Sequence, residues 1–401
     1  MKIGVYGGSF NPPHRGHTRS AKTALRQLGL QRLLVVPSGS PPHKTLPPGS
    51  PTAEQRLEMA RLAFRDIPDC EVSDVETRRP GESYTIDTLR ELKSLYPGAD
   101  FYLIVGADMF LTLGRWRASD EILGLASPAV TLRLGGDSGD AGAPDMLARI
   151  EAERAALARR GVKSELIRNS VVDISSSKLR KGLPERDFSW YLDERVYSYI
   201  IEHGLYGAKP NFDWLRFEAY KTLSPERRLH VAGCEFEAVR LARRWGADAD
   251  DAREAAILHD IAKALSPEEQ YALCEKYGVE LTESMRDIPK ILHGHTAAEL
   301  AAAKYNVSDD VKAAIKWHTT AYDKMSALGK IIYVADTIEP NRDFDGVDAL
   351  REIAYRDLDA AALACINTVL KELADDGRVI DPFTLAAAEA LKETINRRIN
   401  E

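Results

Sequence analysis

The sequence predicts an α/β domain with a mostly parallel sheet, followed by an all-α domain. Three observations carry this. From Lys2 to Ile174, short apolar runs alternate with helical segments, the pattern of βαβ units. After about residue 208 the composition shifts to alanine-rich, amphipathic helical segments with few strand signals. Between them, Lys209-Pro210-Asn211 reads as a short linker, which divides the chain into 1–207 and 208–401. A chain of 401 residues is comfortable for two cores.

The elements follow in order. Lys2 to Tyr6 has strand character, and Gly7-Gly8 lets the backbone turn tightly and approach a ligand. Pro12 and Pro13 suit the first turn of a helix, on which His14 and His17, three apart, share a face. Leu33–Pro37 is a second strand and Thr52–Phe64 a helix capped by Thr52. Glu71–Val75 reads as a strand, Ser83–Leu95 as a helix, and Phe101–Val105 as a buried strand ending at Gly106-Ala107-Asp108. Leu134–Pro144 is loop-like, Asp145–Arg160 helical, and Val171–Ile174 a further strand. In a sheet of this kind, ligands sit beyond the carboxyl ends of the strands. In the second half, helices are expected near 213–222, 225–245, 249–264, 267–277, 289–305, 308–320 and 326–338, with one or two more to the end.

Composition narrows the classes. Hydrophobic residues are 44% and charged residues 29%, the balance of a soluble globular chain. No run of eighteen apolar residues and no signal-peptide core occurs, so no membrane partner is expected. Cys70, Cys234, Cys274 and Cys365 are scattered, which favours reduced thiols in a cytoplasm over disulfides or a zinc ribbon. Residues 1–210 hold 29 basic and 26 acidic side chains, and residues 211–401 hold 25 and 35. Neither half has the basic excess of a nucleic-acid binder.

Two constellations carry chemistry. The first is Gly4-Val5-Tyr6-Gly7-Gly8-Ser9-Phe10-Asn11-Pro12-Pro13-His14-Arg15-Gly16-His17: a strand, a glycine turn and a helix N-terminus with two imidazoles. Free N–H groups and the macrodipole attract phosphate there. Two histidines can donate to a phosphoryl group that gains charge in a transition state. Ser175-Ser176-Ser177-Lys178-Leu179-Arg180, with serines able to cap a helix and basic residues after them, is a second phosphate cradle.

GGSFNPPHRGH resembles the HxGH signature of the nucleotidyltransferase superfamily, whose Rossmann-like parallel sheet is the expected fold. PPHK at 41–44, SYTIDTL at 83–89, GADMF at 106–110, Trp116 and ISSSKLR at 174–180 resemble the nicotinate-nucleotide adenylyltransferase branch, from Met1 to about Tyr206. That resemblance implies transfer of AMP from ATP to nicotinate mononucleotide, with Mg2+ as cofactor. It implies ATP binding by Gly7, Gly8, Ser9, Phe10, His14, His17, Gly106, Asp108, Ser175, Ser176 and Arg180. It places Lys44, Tyr84, Thr85 and Trp116 at the nicotinate mononucleotide, where an indole can stack on the cationic pyridinium face. His14, His17, Lys44 and Arg180 would be catalytic. An adenylyltransferase for another acceptor, such as phosphopantetheine, shares HxGH but gives no reason for the SYTIDTL and Trp116 stretches.

The second constellation is His230, His259-Asp260, His293, His318 and Asp336, each within an expected helix. Imidazole and carboxylate together suit iron, manganese or zinc better than calcium. The order H…HD…H…H…D is similar to the HD phosphohydrolase superfamily. HDIAK at 259–263, LHGHTAA at 292–298 and WHTTAYDKMSALGKIIYVADTIEPNR at 317–342 resemble its YqeK-like branch, which splits diadenosine tetraphosphate symmetrically into two ADP. The resemblance implies a tight metal, iron or another divalent transition metal, on His230, His259, Asp260 and Asp336. His293 and His318 would hold a second metal or the phosphate chain. Lys263, expected on the helix face of Asp260, and Arg342 would bind phosphate, with Lys263 also catalytic. His295 and His203 read as structural. Another HD substrate, such as a hyperphosphorylated guanosine or a deoxynucleotide, and a non-catalytic nucleotide-binding regulator are the alternatives. The sequence leaves the oligomeric state open.

Overall fold

A computed structural model describes the chain except residues 42–45, 135–142, 171, 173 and 401, and except the side chains of 133, 134, 143, 144 and 170. It divides into two units, Met1–Lys209 and Pro210–Glu401. Among the described residues, no helix is long and apolar enough to cross a membrane.

Among the described residues, the first unit is built on six parallel strands: β1 Lys2–Gly8, β2 Arg32–Pro37, β3 Cys70–Val72, β4 Asp100–Gly106, β5 Ala126–Leu134 and β6 Glu165–Ser170. Their order is β3-β2-β1-β4-β5-β6, a doubly wound sheet whose direction of winding reverses between β1 and β4. Among the described residues, eight α-helices accompany it: α1 Arg15–Leu28, α2 Ala53–Phe64, α3 Thr85–Leu95, α4 Ala107–Thr112, α5 Ser119–Leu125, α6 Ala143–Arg159, α7 Ser176–Gly182 and α8 Glu194–Glu202. The core on one side of the sheet joins Ile3, Val5, Leu103, Val105 and Val130 to Leu89, Phe110 and Ile150. Central strands covered on both faces read as nearly continuous apolar runs, which is why β1, β2 and β4 were legible in the sequence.

Several expectations shift. Among the described residues the last strand is Glu165–Ser170, and β3 is only three residues long; the strand expected at Val171–Ile174 falls partly on residues 171 and 173, outside the described residues. The helix expected from Ser83 begins at Thr85, because the Ser83 hydroxyl instead accepts from the amides of Gly39 (3.1 Å) and Ser40 (3.3 Å). Strand β5 carries Pro128 in mid-sheet, paired with Leu103, and proline argues against a strand in any sequence reading.

Among its described residues the second unit contains eleven α-helices: α9 Phe212–Tyr220, α10 Pro225–Trp245, α11 Ala249–Leu258, α12 Pro267–Tyr277, α13 Glu283–Asp287, α14 Leu292–Tyr305, α15 Asp309–Lys316, α16 Ala327–Ile338, α17 Val347–Ala354, α18 Leu358–Asp375 and α19 Pro382–Asn400. Start signals are explicit. Asn211, Ser224, Asp248, Ser266, Ser308 and Ser326 each accept from a backbone amide in the first turn of the following helix. Two expected helices stop early: α11 ends at Leu258 and α15 at Lys316. His259-Asp260 and His318 therefore sit in turns just past helix ends, not within helices. Lys263 does not share a helix face with Asp260 but lies in the same turn.

The 209/210 division leaves each unit within the size range of a self-sufficient core. Separately expressed 1–209 and 210–401 should each melt cooperatively by circular dichroism. A fragment that stays unfolded would show that its core needs the other unit.

Candidate functional sites

The N-terminal site is built at the reversal point of the sheet. Gly8 ends β1 opposite Pro37 of β2, and Gly106 ends β4 on the other side of β1. The turn from Ser9 to His14 is fixed from several directions. Phe10, at φ 43°, sends its ring edge-on against Tyr6, His17 and Phe64. Asn11, 1% exposed, donates to Ser50 Oγ (2.9 Å) and accepts from the Tyr206 hydroxyl (2.7 Å). Its carbonyl accepts from Arg180 (2.6 Å), and the Pro12 carbonyl accepts from Ser176 (3.0 Å). Arg56, 1% exposed, donates to the Ser9 carbonyl (2.9 Å) and the Gly39 carbonyl (2.8 Å), holding together the turns after β1 and β2. Burial pulls its guanidinium below the ordinary arginine range.

His14 caps α1. Its Nδ1 accepts from the Gly16 amide (3.1 Å), and the His17 Nδ1 accepts from the His14 amide (3.1 Å). A nitrogen that accepts from an amide carries no proton, so each neutral ring is an Nε2–H donor. The two rings lie 3.8 Å apart at 34°. A Cβ on residue 16 would stand 2.9 Å from His14 Cε1, which is why glycine separates them.

Ser175 caps α7 by accepting from Lys178 (3.2 Å), and its helix presents Ser176 and Arg180 to the Asn11-Pro12 turn. Asp108 lies exposed in the first turn of α4, after Gly106. Tyr84 and Trp116 are half-buried against the same core, with the Arg117 guanidinium 4.5 Å from the Tyr84 ring centroid. Thr85 begins α3. Lys44 lies outside the described residues. Arg56, Asn11, Arg117 and Tyr206 are contributors the sequence reading missed. Burial and long-range hydrogen bonds single out Arg56, Asn11 and Tyr206, and the approach to the Tyr84 ring singles out Arg117.

The C-terminal site gathers His230 and Cys234 of α10, His259-Asp260 after α11, His293 of α14, His318 after α15 and Asp336 of α16. Four imidazoles are fixed through Nδ1: His230 to Glu339 Oε1 (3.2 Å), His259 to the Ala256 carbonyl (2.7 Å), His293 to the Lys290 carbonyl (2.5 Å) and His318 to the Ile315 carbonyl (2.7 Å). Those oxygens can only accept, so each Nδ1 donates and each neutral ring turns an Nε2 lone pair inward. The lone pairs meet carboxylate oxygens. His230 Nε2 is 3.0 Å from Asp336 Oδ1, and His259 Nε2 is 3.5 Å from Asp260 Oδ2. His293 Nε2 is 3.2 Å from Asp260 Oδ1 and 3.1 Å from His318 Nε2. His259 Nε2 and Asp260 Oδ1 are buried without a hydrogen-bond partner. Acceptors crowded this closely repel one another unless a cation stands among them, so the residues fit a divalent metal.

The donors fall into two overlapping groups: His230, Cys234, His259 and Asp336, and His259, Asp260 and His318. Cys234, one turn from His230, is an addition to the expected set, and burial pushes its thiol well above the ordinary range. Burial alone would raise Asp260, but His259, His293 and His318 hold it well below the carboxylate range. Burial pulls His293 down to about 4, which keeps it neutral. Burial alone would lower His259, but the Asp260 and Asp336 charges and the hydrogen bonds to Asp260 and the Ala256 carbonyl together raise it.

Basic side chains surround these ligands. Arg227 pairs with Asp260 (2.9 Å), Arg342 with Asp336 (3.1 Å), and Lys263 Nζ lies 3.0 Å from His293 Nε2 and 4.0 Å from Asp260 Oδ1. Arg227 and Glu339 were not anticipated. Glu339 is 1% exposed, and a Cβ at Gly233 would fall 2.0 Å from its Oε2. Of the histidines read as structural, His295 is buried edge-on against Trp317, and His203 stacks on Tyr199.

The cytidylyltransferase-like family matches residues 5–182 and the HD domain family residues 227–341. The "Probable nicotinate-nucleotide adenylyltransferase" of Geotalea uraniireducens is 39% identical over 213 residues, covering 51% of this chain and 98% of the relative. That of Listeria monocytogenes is 34% identical over 210 residues, covering 52% and 98%. Through its N-terminal half, the chain belongs to the nicotinate-nucleotide adenylyltransferase family. Its C-terminal half contains an HD domain.

Among solved structures, a "predicted HD superfamily hydrolase involved in NAD metabolism" from Clostridium acetobutylicum is 35% identical. It covers 47% of this chain and 100% of that one, with a TM-score of 0.46. Plasmodium falciparum nicotinic acid mononucleotide adenylyltransferase complexed with NaAD is 21% identical, covering 52% and 98%, with a TM-score of 0.41.

The buried Glu339–His230 bond makes a test of the HD-domain site. Glu339→Ala should weaken divalent-metal affinity about 10–100-fold, the usual effect of losing a partner behind a ligating histidine. Metal titration of the folded variant measures this, and wild-type affinity would remove Glu339 from the site.

Proposed function

We propose that the chain is a bifunctional enzyme of nucleotide metabolism. Its N-terminal unit transfers AMP from ATP to nicotinate mononucleotide with Mg2+, giving nicotinate adenine dinucleotide and pyrophosphate. The observation carrying this reading is the pair of fixed Nε2–H donors on His14 and His17 at the N-terminus of α1. A mononucleotide phosphate oxygen attacks the α-phosphorus as the bond to the bridging oxygen breaks, and pyrophosphate leaves with that oxygen. No covalent enzyme nucleotide is required: the chain positions both nucleotides and offsets charge. Arg56 adds buried positive charge behind the Ser9 turn, which favours an anionic ligand there. The match to relatives over nearly their whole length supports nicotinate mononucleotide as acceptor, with Tyr84, Thr85 and Trp116 facing it.

For the C-terminal unit, the proposal is metal-dependent hydrolysis of diadenosine tetraphosphate to two ADP. The convergence of imidazole lone pairs on Asp260 and Asp336 carries it. His230, His259, Asp260 and Asp336 would hold the metal, iron or another divalent transition ion, with His293 and His318 completing the site. When bound, such an ion supplies Lewis-acid activation of water and of a phosphoryl oxygen. Lys263, Arg227 and Arg342 orient the phosphate chain. The water oxygen joins phosphorus, the central P–O bond breaks, and the bridging oxygen leaves on the second ADP while the water's proton is released.

A substrate panel on the purified chain tests both halves, scoring pyrophosphate from ATP plus nicotinate mononucleotide and ADP from diadenosine tetraphosphate. His17→Ala should lower adenylyl transfer about 10²–10³-fold, as loss of one preorganised donor does, while tetraphosphate cleavage persists. Near-normal transfer by that variant contradicts the phosphate-cradle reading.

Asp260→Ala should lose metal and hydrolysis together and keep transferase activity. Full hydrolysis by metal-free Asp260→Ala protein removes the HD site from the reaction.

A further inference from the structure

Beside the ligand cluster lies a cavity of about 570 Å3, a size suited to a nucleotide-scale ligand. The turn after α11 and the start of α12 form one side through Lys263, Leu265 and Pro267. Pro289 and Lys290, just before α14, form another, and His293 marks the end shared with the metal ligands. The lining side chains include two lysines and no carboxylate.

Gln270 ties these sides together. Its Nε2 donates to the Ala262 carbonyl (2.7 Å), and its Oε1 accepts from the Thr296 hydroxyl of α14. It is 4% exposed and both ends of its amide are engaged, so it shapes the cavity without offering a donor–acceptor pair to a base. His293 is similarly engaged: Nδ1 donates to the Lys290 carbonyl, and Nε2 faces Asp260 and His318. What remains for a ligand is Lys290, Lys263 when a phosphate draws it from its 3.0 Å contact with His293 Nε2, and the apolar surface of Leu265, Pro267 and Pro289.

We propose that this cavity binds the half of the substrate that departs as a nucleoside 5′-diphosphate. Lys263 meets the phosphate nearest the reacting centre and Lys290 the next. The cavity selects phosphate charge and packs any base against apolar surface. The identity of the substrate rests on the hydrolase reading above; the cavity's preference for a nucleoside diphosphate does not.

Lys290→Ala isolates the side chain, because alanine keeps the carbonyl that orients His293. In the full-length, metal-loaded protein, Lys290→Ala should raise KM for diadenosine tetraphosphate about tenfold, the lower range for one charge-assisted contact. kcat should change less than about twofold, with metal content unchanged and Lys290→Arg restoring KM. Diguanosine tetraphosphate should be cleaved with a KM within about tenfold of the diadenosine compound, because no polar pair reads the base. ADP titration of wild type and Lys290→Ala gives a second measure. Both proteins keep the N-terminal site, so a difference between them reports the cavity. Equal ADP binding and equal KM would overturn the proposal, as would a preference for adenine well beyond tenfold. Lys290-dependent ADP binding without tetraphosphate cleavage would uphold the cavity and refute the substrate reading instead.

Discussion

Four buried imidazoles in the C-terminal unit have their Nδ1 protons committed to oxygens that can only accept. Their Nε2 lone pairs therefore converge on Asp260 and Asp336, and much of the surrounding architecture serves that convergence. Helix α11 must end at Leu258 for His259 and Asp260 to turn inward from the same short stretch. Helix α15 must likewise end before His318. Gly233 leaves room for Glu339, which fixes His230 from behind, and a Cβ at Gly294 would fall 2.8 Å from the Lys316 carbonyl. The apolar core holds these helix ends together against a local repulsion that positive charge relieves.

The N-terminal unit meets phosphate chemistry by other means. Its fixed positive groups are backbone amides, imidazole N–H groups and a buried guanidinium. Arg56 has no carboxylate partner among the described residues and is held by two carbonyls. Burying such a charge is costly unless hydrogen bonds and a nearby anion compensate. The Tyr206 hydroxyl reaches back to Asn11 from the far end of the unit. The turn after β1 is thus braced by residues from α2, α7 and the segment after α8. Preorganisation of this kind lets donors face developing charge without rearranging.

What could be read from the sequence was what is local. The strand–glycine–histidine stretch, the caps at Thr52 and Ser175, and the order of the HD-domain histidines all lie within a few residues or follow a known order. Contacts that brace the sites are remote: Arg56 reaches Ser9 across 47 residues, and Tyr206 reaches Asn11 across 195. A lone arginine, tyrosine or glutamate carries no sequence sign of such a partner, so Arg56, Tyr206 and Glu339 stayed hidden. Ile261-Ala262-Lys263 continues a helical composition past Leu258, so the turn that positions Asp260 could not be seen. In β5, Pro128 masked a central strand, because the propensity rule reflects a lost amide that tertiary packing can tolerate.

Net charge says little about the second site. Residues 211–401 hold ten more acidic than basic side chains, yet Arg227, Lys263 and Arg342 cluster at the ligands, and Lys290 lines the adjoining cavity. At physiological salt, exposed charges beyond about 8 Å are largely screened, whereas partly buried pairs are not. A phosphate entering beside His293 meets the nearby lysines before it senses the acidic surface elsewhere. Arg227 and Arg342 add a further constraint, since each is already paired with a ligand carboxylate. On the proposed reading, metal and polyphosphate would be electrostatically linked: positive charge among the carboxylates would weaken their hold on the guanidinium groups, leaving more of that charge for phosphate.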